Sequence, residues 1–306
     1  MTNTYRRLMA VATGQLGLLS RRQANGVGVS NAQLRSRVSS GSLLQVGTDT
    51  FRLPGAPAST IADLRALMLD IGGEVWASGP TAAALHGFDG YRLRPPFDVA
   101  IPRERNVRRL GHRVHTTARL DLIDRAMVDG LACTSGARTL IDLARTESVE
   151  QLTIAFDSGL RDGKFNESVL HRRILALRSS GRFGIPTLIA AIEGVESISG
   201  GHSWLEREYL RIIASAGILM PETQQVLSRS GDRVVRVDFR FRGTPVVVEV
   251  LGYRYHRTAE QMRRDTDRMN ALLNDGFVPY QFTYAAVVEN PAQVQEQTRL
   301  ALAPYL

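Results

Sequence analysis

Apolar and polar residues alternate strictly between positions 233 and 241. Val235, Val237, Phe239 and Phe241 fall on one side of the pattern, and Val234, Arg236, Asp238 and Arg240 on the other. A period of two predicts a half-buried strand with Asp238 on its polar face. A turn through Gly243 and Pro245 leads into residues 246–250, which are apolar nearly throughout, as expected of a central strand covered on both faces. Glu249 interrupts that run. An ionised carboxylate in such a strand is costly unless it is ion-paired or bound to a metal. Two acids on adjacent strands, followed by His256, therefore pose a divalent-cation site. The plainer reading pairs Asp238 with Arg236 or Arg240, and Glu249 with another arginine.

The same patterns divide the rest of the chain. Helices are expected over 5–11, 21–25 and 31–40, with Ser20 and Ser30 as caps and Gly41 as the stop, followed by a hairpin over 43–53 that turns at Gly47-Thr48-Asp49. Three helices and a β-wing are the plan of a winged helix-turn-helix, whose third helix enters the major groove. On that helix Leu34 and Val38 share the inner face, which leaves Gln33, Ser36 and Ser40 outward with Arg35 and Arg37 on the flanks. A middle segment reads as helices over 61–70 and 81–85, capped by Thr60 and opened by Pro80. Short strands over 97–101 and 113–116 follow, then helices over 137–145, 149–161, 167–178 and 186–193. The small-residue run at 197–201 marks a boundary. Beyond it come a helix over 203–216, the two strands, a helix over 259–274, a strand over 277–282 and a closing segment over 291–302. The expected fold class is a multidomain α+β chain. It comprises a winged helix-turn-helix (1–56), a mixed α/β middle domain (57–196) and a C-terminal α/β core (197–306).

Charge sharpens this picture. The formal net charge is +8, and Lys164 is the only lysine. Arg6, Arg7, Arg21, Arg22, Arg35, Arg37 and Arg52 of the first segment face a single acid, Asp49. That balance points to an anionic partner, double-stranded DNA first, with Arg21, Arg22, Gln33, Arg35, Ser36 and Arg37 as the expected contacts. One cysteine, Cys133, excludes an intrachain disulfide and a zinc cluster. No apolar run reaches the length of a membrane span and the first residues lack an apolar signal segment, so a cytoplasmic protein is expected. His86, His112, His115 and His171 lack metal-ligand spacing, and phosphate-loop and nucleophile-elbow motifs do not occur.

Two resemblances add to these readings. Residues 19–24 (LSRRQA), 28–30 (GVS), 41–43 (GSL), 51–53 (FRL), 78–87 (SGPTAAALHG) and 138–144 (RTLIDLA), in that order, resemble AbiEi-type antitoxins of actinobacteria. That likeness implies binding near the protein's own promoter and a nucleotidyltransferase-like toxin as partner. The C-terminal order helix, strand with Asp238, strand with Glu249, helix, strand resembles the PD-(D/E)XK restriction-endonuclease-like superfamily, and within it the Vsr-like domains. The likeness rests on Ser203, Glu206, residues 237–239 and 248–250, Gly252, His256, Asp265, Arg268, Leu272, Gly276 and Phe282. It implies that Asp238 and Glu249 hold Mg²⁺, that Glu206 assists and that His256 serves in acid–base work or phosphate contact. Two positions depart from the pattern: Leu251 stands where a lysine or a further acid is expected, and Arg236 where proline is. The reading is thus a DNA-binding antitoxin or regulator with an endonuclease-like domain. That domain is either a Mg²⁺-dependent DNA endonuclease or a degenerate nuclease used for binding.

Overall fold

The computed structural model describes residues 3–118, 120–178, 184–198, 203–230, 233–252 and 259–306. The chain divides into two compact units, residues 1–147 with 154–166, and residues 148–153 with 167–306. The fold is mixed α+β with three sheets.

The first unit begins with α1 (Asn3–Thr13), β1 (Leu18–Ser20), α2 (Arg21–Gly26), α3 (Asn31–Ser39), β2 (Leu44–Gln45) and β3 (Thr50–Arg52). The strands form one antiparallel sheet in the order β1-β3-β2. Both serine caps are full capping boxes: Ser20 with Gln23, and Ser30 with Gln33, each satisfying two backbone N–H groups that the helix start leaves without partners. Leu8, Leu19, Ala24, Leu34, Leu43 and Phe51 close over a small core.

There follow α4 (Thr60–Ile71), β4 (Trp76–Ala77), α5 (Gly79–His86), β5 (Asp98–Pro102), β6 (Arg113–Thr117), β7 (Arg125–Val128), β8 (Leu131–Thr134), α6 (Gly136–Leu143) and α7 (Val149–Arg161). Ser59, not Thr60, caps α4, since its side chain accepts from the Ala62 N–H. The five strands lie in the order β6-β5-β4-β8-β7, with β5/β6 and β4/β8 parallel. Leu64, Ala82, Phe97, Val99, Ile101 and Cys133 are among the buried residues between this sheet and its helices.

The second unit contains α8 (Glu167–Leu177), α9 (Ile185–Ile198), α10 (Trp204–Ser215), β9 (Glu222–Ser230), β10 (Arg233–Arg240), β11 (Val246–Leu251), α11 (Ala259–Asn274), β12 (Val278–Thr283), α12 (Tyr284–Glu289) and α13 (Pro291–Leu302). Its sheet runs β12-β11-β10-β9, antiparallel except for the parallel β11/β12 pair. Val246 and Val248 join Tyr209 and Phe239 in one core, while Val247 packs with Leu272 of α11. Strand β11 is thus covered on both faces. Among the described residues no helix is long and apolar enough to cross a membrane.

Helix α8, which the sequence pattern groups with the middle segment, packs in this second unit. Its buried His171 stacks on Trp204 with ring centroids 3.7 Å apart and shares a hydrogen bond with Tyr284. Burial, with the nearby Arg207 charge, lowers the His171 pKa to about 3. The unfolded chain, titrating near 6.5, binds this proton first, so stability falls as pH drops below 6.5 and continues to fall towards 3. Between pH 6.5 and pH 5 the loss is about 2 kcal/mol. In a Trp76→Phe background, Trp204 fluorescence reports urea unfolding of this unit at pH 7.5 and pH 5. His171→Phe is expected to remove most of the difference between the two pH values; an unchanged difference would place the proton uptake elsewhere.

Candidate functional site

Antiparallel pairing of β10 and β11 brings the two acids of the strand pattern to one end of the ladder, where Phe239 faces Val248. Asp238 does not need a flanking arginine there. Its Oδ2 accepts the Val250 N–H at 2.9 Å, closing the ladder with a side chain. Arg240 instead lies over the Phe277 ring, 5.7 Å from its centroid. Glu249 is 4% exposed and opposes Gln281 of β12, whose Nε2 donates to Oε2 at 3.1 Å. Its other oxygen forms an ion pair with Arg268 of α11. Glu206 sits in the first turn of α10. Its N–H is capped by Ser203 Oγ at 3.2 Å, and its carboxylate receives Gln224 Nε2 at 2.8 Å. The Glu206 backbone N–H thus serves the helix cap, while its side chain bonds Gln224. Gln224 has φ +55°, a left-handed conformation that costs a non-glycine residue roughly 1 kcal/mol or more.

Asp238 lies within reach of both other acids. Burial first, then the charges of Glu206 and Glu249, push the Asp238 pKa up to about 6, against the Val250 N–H and Arg268, which act downward. The cluster carries three carboxylates against the Arg268 guanidinium. That excess of negative charge attracts cations and repels a bare phosphodiester. As a metal centre, however, the donor set does not fit. Glu249 is already matched by Arg268 and Gln281, Asp238 by a backbone N–H, and among the described residues no group of three potential ligands is placed to hold an ion. Leu251, two residues beyond Glu249 and therefore on the same side of the strand, adds no donor. His256 and Arg254 lie outside the described residues.

The expected DNA face resolves differently. Leu34 is fully buried, which turns Arg35 and Ser36 outward, and both are exposed, as is Arg22. Arg21 is engaged within the domain: its Nε donates to Asp49 Oδ1 at 2.6 Å and its guanidinium lies over Phe51. Arg37 lies over the Tyr5 ring at 5.2 Å. Gln33 is exposed, but its carboxamide oxygen accepts the Ser30 N–H at 2.8 Å. These three expected contacts thus also have partners within the domain that residue spacing does not reveal. Among the described residues, His86 pairs with the Thr134 carbonyl, His112 with the Phe97 N–H, and His115 with Asp98.

No protein-family model matches the chain. Two uncharacterized proteins of Mycobacterium tuberculosis are similar to it, MT2308 from strain CDC 1551 / Oshkosh and Rv2248 from strain ATCC 25618 / H37Rv. Each is 26% identical over 258 residues, spanning 80% of this chain and 87% of its own. Among solved structures, the RV2827C protein of Mycobacterium tuberculosis aligns at 14% identity with a TM-score of 0.45, over 62% of this chain and 78% of that one. Likeness at that level bears on neither fold nor function.

Proposed function

We propose that the chain is a DNA-binding regulator of the antitoxin type, in which residues 1–56 act as a winged helix-turn-helix on double-stranded DNA. The second unit serves as an endonuclease-like module that binds without cleaving. The observation that carries the first half is the outer face of the α2–α3 pair: Arg22, Arg35 and Ser36 are exposed around the buried Leu34. Two helices, a capped turn between them and a β-wing are the geometry by which such proteins enter the major groove. Support for the second half is the order of one helix, three antiparallel strands, a helix and a parallel fourth strand, with Glu249 matched by Arg268. In this reading a nucleotidyltransferase-like toxin is the protein partner.

Fluorescence anisotropy of the full chain on duplex DNA tests the first half. Wild type is expected to bind with a steep salt dependence. Arg22→Ala with Arg35→Ala is expected to weaken binding on every sequence and lower the slope of log K against log salt by about two. Equal slopes for the two proteins would remove this face from the interface.

A second reading, a Mg²⁺-dependent DNA endonuclease, is favoured by one observation. Asp238 lies buried close to Glu206 and Glu249, and burial first, then those two charges, raise its pKa to about 6.

A further inference from the structure

Between β5 and β6, within the first unit, the chain makes a basic loop containing Arg103, Arg105, Arg108 and Arg109 and one acid, Glu104. Two of these arginines are anchors. Arg105 donates to the carbonyls of Ile71 and Glu74 at 2.8 and 2.9 Å, and Arg109 donates to the Asp70 carboxylate and carbonyl at 2.6 Å each. All these acceptors belong to the C-terminal end of α4 or the residues just after it. Asp70 is itself buried, and its other oxygen accepts the Asp49 N–H in the wing turn at 2.6 Å. Asp49 in turn holds Arg21 at the start of α2. An unbroken chain of charge-assisted hydrogen bonds, Arg109–Asp70–Asp49–Arg21, thus fixes the loop beside the wing. A cleft of about 470 Å³ separates the two, with Val46 and Thr48 on one side, Leu110 and His112 on the other, and the acid Asp63 in its lining.

What the anchors leave outside is a short series of a particular kind. Arg103 and Arg108 are exposed, and Leu110 is more exposed than any other large hydrophobic side chain described, at 102%. A lone exposed leucine is ordinary. A fully exposed leucine next to arginines, on a loop pinned at two points, has the composition of the apolar wedges that enter a minor groove beside phosphate-binding arginines.

We infer that this loop is a second DNA-contacting element: Arg103 and Arg108 take backbone phosphates, and Leu110 enters the minor groove beside the wing. The inference rests on the DNA-binding reading of residues 1–56 and extends its footprint onto the middle of the chain. Charge complementarity selects a nucleic-acid duplex over a protein as the occupant, since the loop carries four arginines against the single acid Glu104 and two of them, Arg103 and Arg108, are exposed.

The experiment uses the full chain and a mixed-sequence duplex carrying a donor and an acceptor dye at its ends. Anisotropy reads affinity and energy transfer reads bending. Arg103→Ala with Arg108→Ala is expected to lower the salt slope by about two. Leu110→Ala is expected to leave the slope unchanged, weaken binding about tenfold and straighten the duplex. These three side chains are exposed, so melting temperatures should match wild type. Arg22→Ala with Arg35→Ala separates the two claims. If that variant weakens binding while the loop variants keep wild-type affinity, slope and bend, the loop lies off the DNA and only the winged-helix reading stands. A wild type without duplex affinity overturns both. Loss of a co-purifying protein on Leu110→Ala, with duplex binding unchanged, overturns the loop proposal in favour of protein docking.

Discussion

Arg138→Met is expected to destabilise the first unit by about 4 kcal/mol, enough to unfold much of it near body temperature. Arg138 and Asp124 are 3% and 0% exposed and meet at 3.1 Å, while the same guanidinium holds Asp142 at 3.0 Å one helical turn along α6. Attraction between such charges is offset by the cost of removing both from water, so the pair is worth little compared with an apolar pair of similar volume. Removing one member strands the other in a site without solvent, and there the full penalty appears. The double substitution Arg138→Met with Asp124→Leu should therefore recover most of the loss. The chain has two tryptophans, Trp76 in the first unit and Trp204 in the second. In a Trp204→Phe background, urea unfolding followed by fluorescence isolates the first unit. A single variant within 1 kcal/mol of wild type, or a double variant no better than the single, would show that the pair is hydrated or replaceable.

Residue pattern and partner identity are legible to different degrees in this chain. Where the determinant is local, the sequence states it. Ser20, Ser30 and Ser203 cap the helices they precede, and the alternation from 235 to 241 forms β10 with Val237, Phe239 and Phe241 buried. Helices over 149–161 and 259–274 form over the expected bounds, with Leu272 of the second buried and Leu273 exposed. Strand β9 escaped notice because it opens on Glu222, Thr223, Gln224 and Gln225, an edge strand with few apolar positions to alternate. Strands β4, β7 and β8 are two to four residues long, too short for a period to register.

Charge partners were harder still, because ion pairs follow tertiary contact. Arg268 lies three residues from Asp265, a spacing that suggests a helical pair, yet it reaches Glu249 from α11 across the sheet face. Arg21 and Arg37, both expected phosphate ligands, lie over the rings of Phe51 and Tyr5, partners that come from elsewhere in the chain. The segment 138–144 carried the antitoxin resemblance without revealing that Arg138 closes on Asp124, fourteen residues earlier. The acids and Arg268 all stand among the residues of the C-terminal resemblance, while the ion pair joining Arg268 to Glu249 is legible only in the fold.

Arg268→Gln is expected to turn the acid cluster of the second unit into a divalent-cation site. In the wild type the guanidinium stands where a cation would neutralise Glu249, and Gln281 holds the other oxygen. Removing the positive charge leaves a buried carboxylate beside Asp238 and Glu206. With Arg268 itself 41% exposed, the expected loss of stability is about 2 kcal/mol. A charge-assisted contact of this kind contributes about 1.5–3 kcal/mol, so Mn²⁺, freed from that competition, should bind roughly 10- to 150-fold more tightly to the variant than to wild type. Calorimetric titration of the full chain measures the affinity, and Mn²⁺ should restore the melting temperature that Arg268→Gln has lowered. Both effects should vanish when Glu249→Gln is added. Plasmid nicking is expected only when Leu251→Asp supplies a further carboxylate on the same side of β11, since two acids can hold a cation without activating a water. Equal Mn²⁺ affinity in wild type and Arg268→Gln, together with nicking by the wild type that Asp238→Ala abolishes, would retire the arginine-held site and make the endonuclease reading the better one.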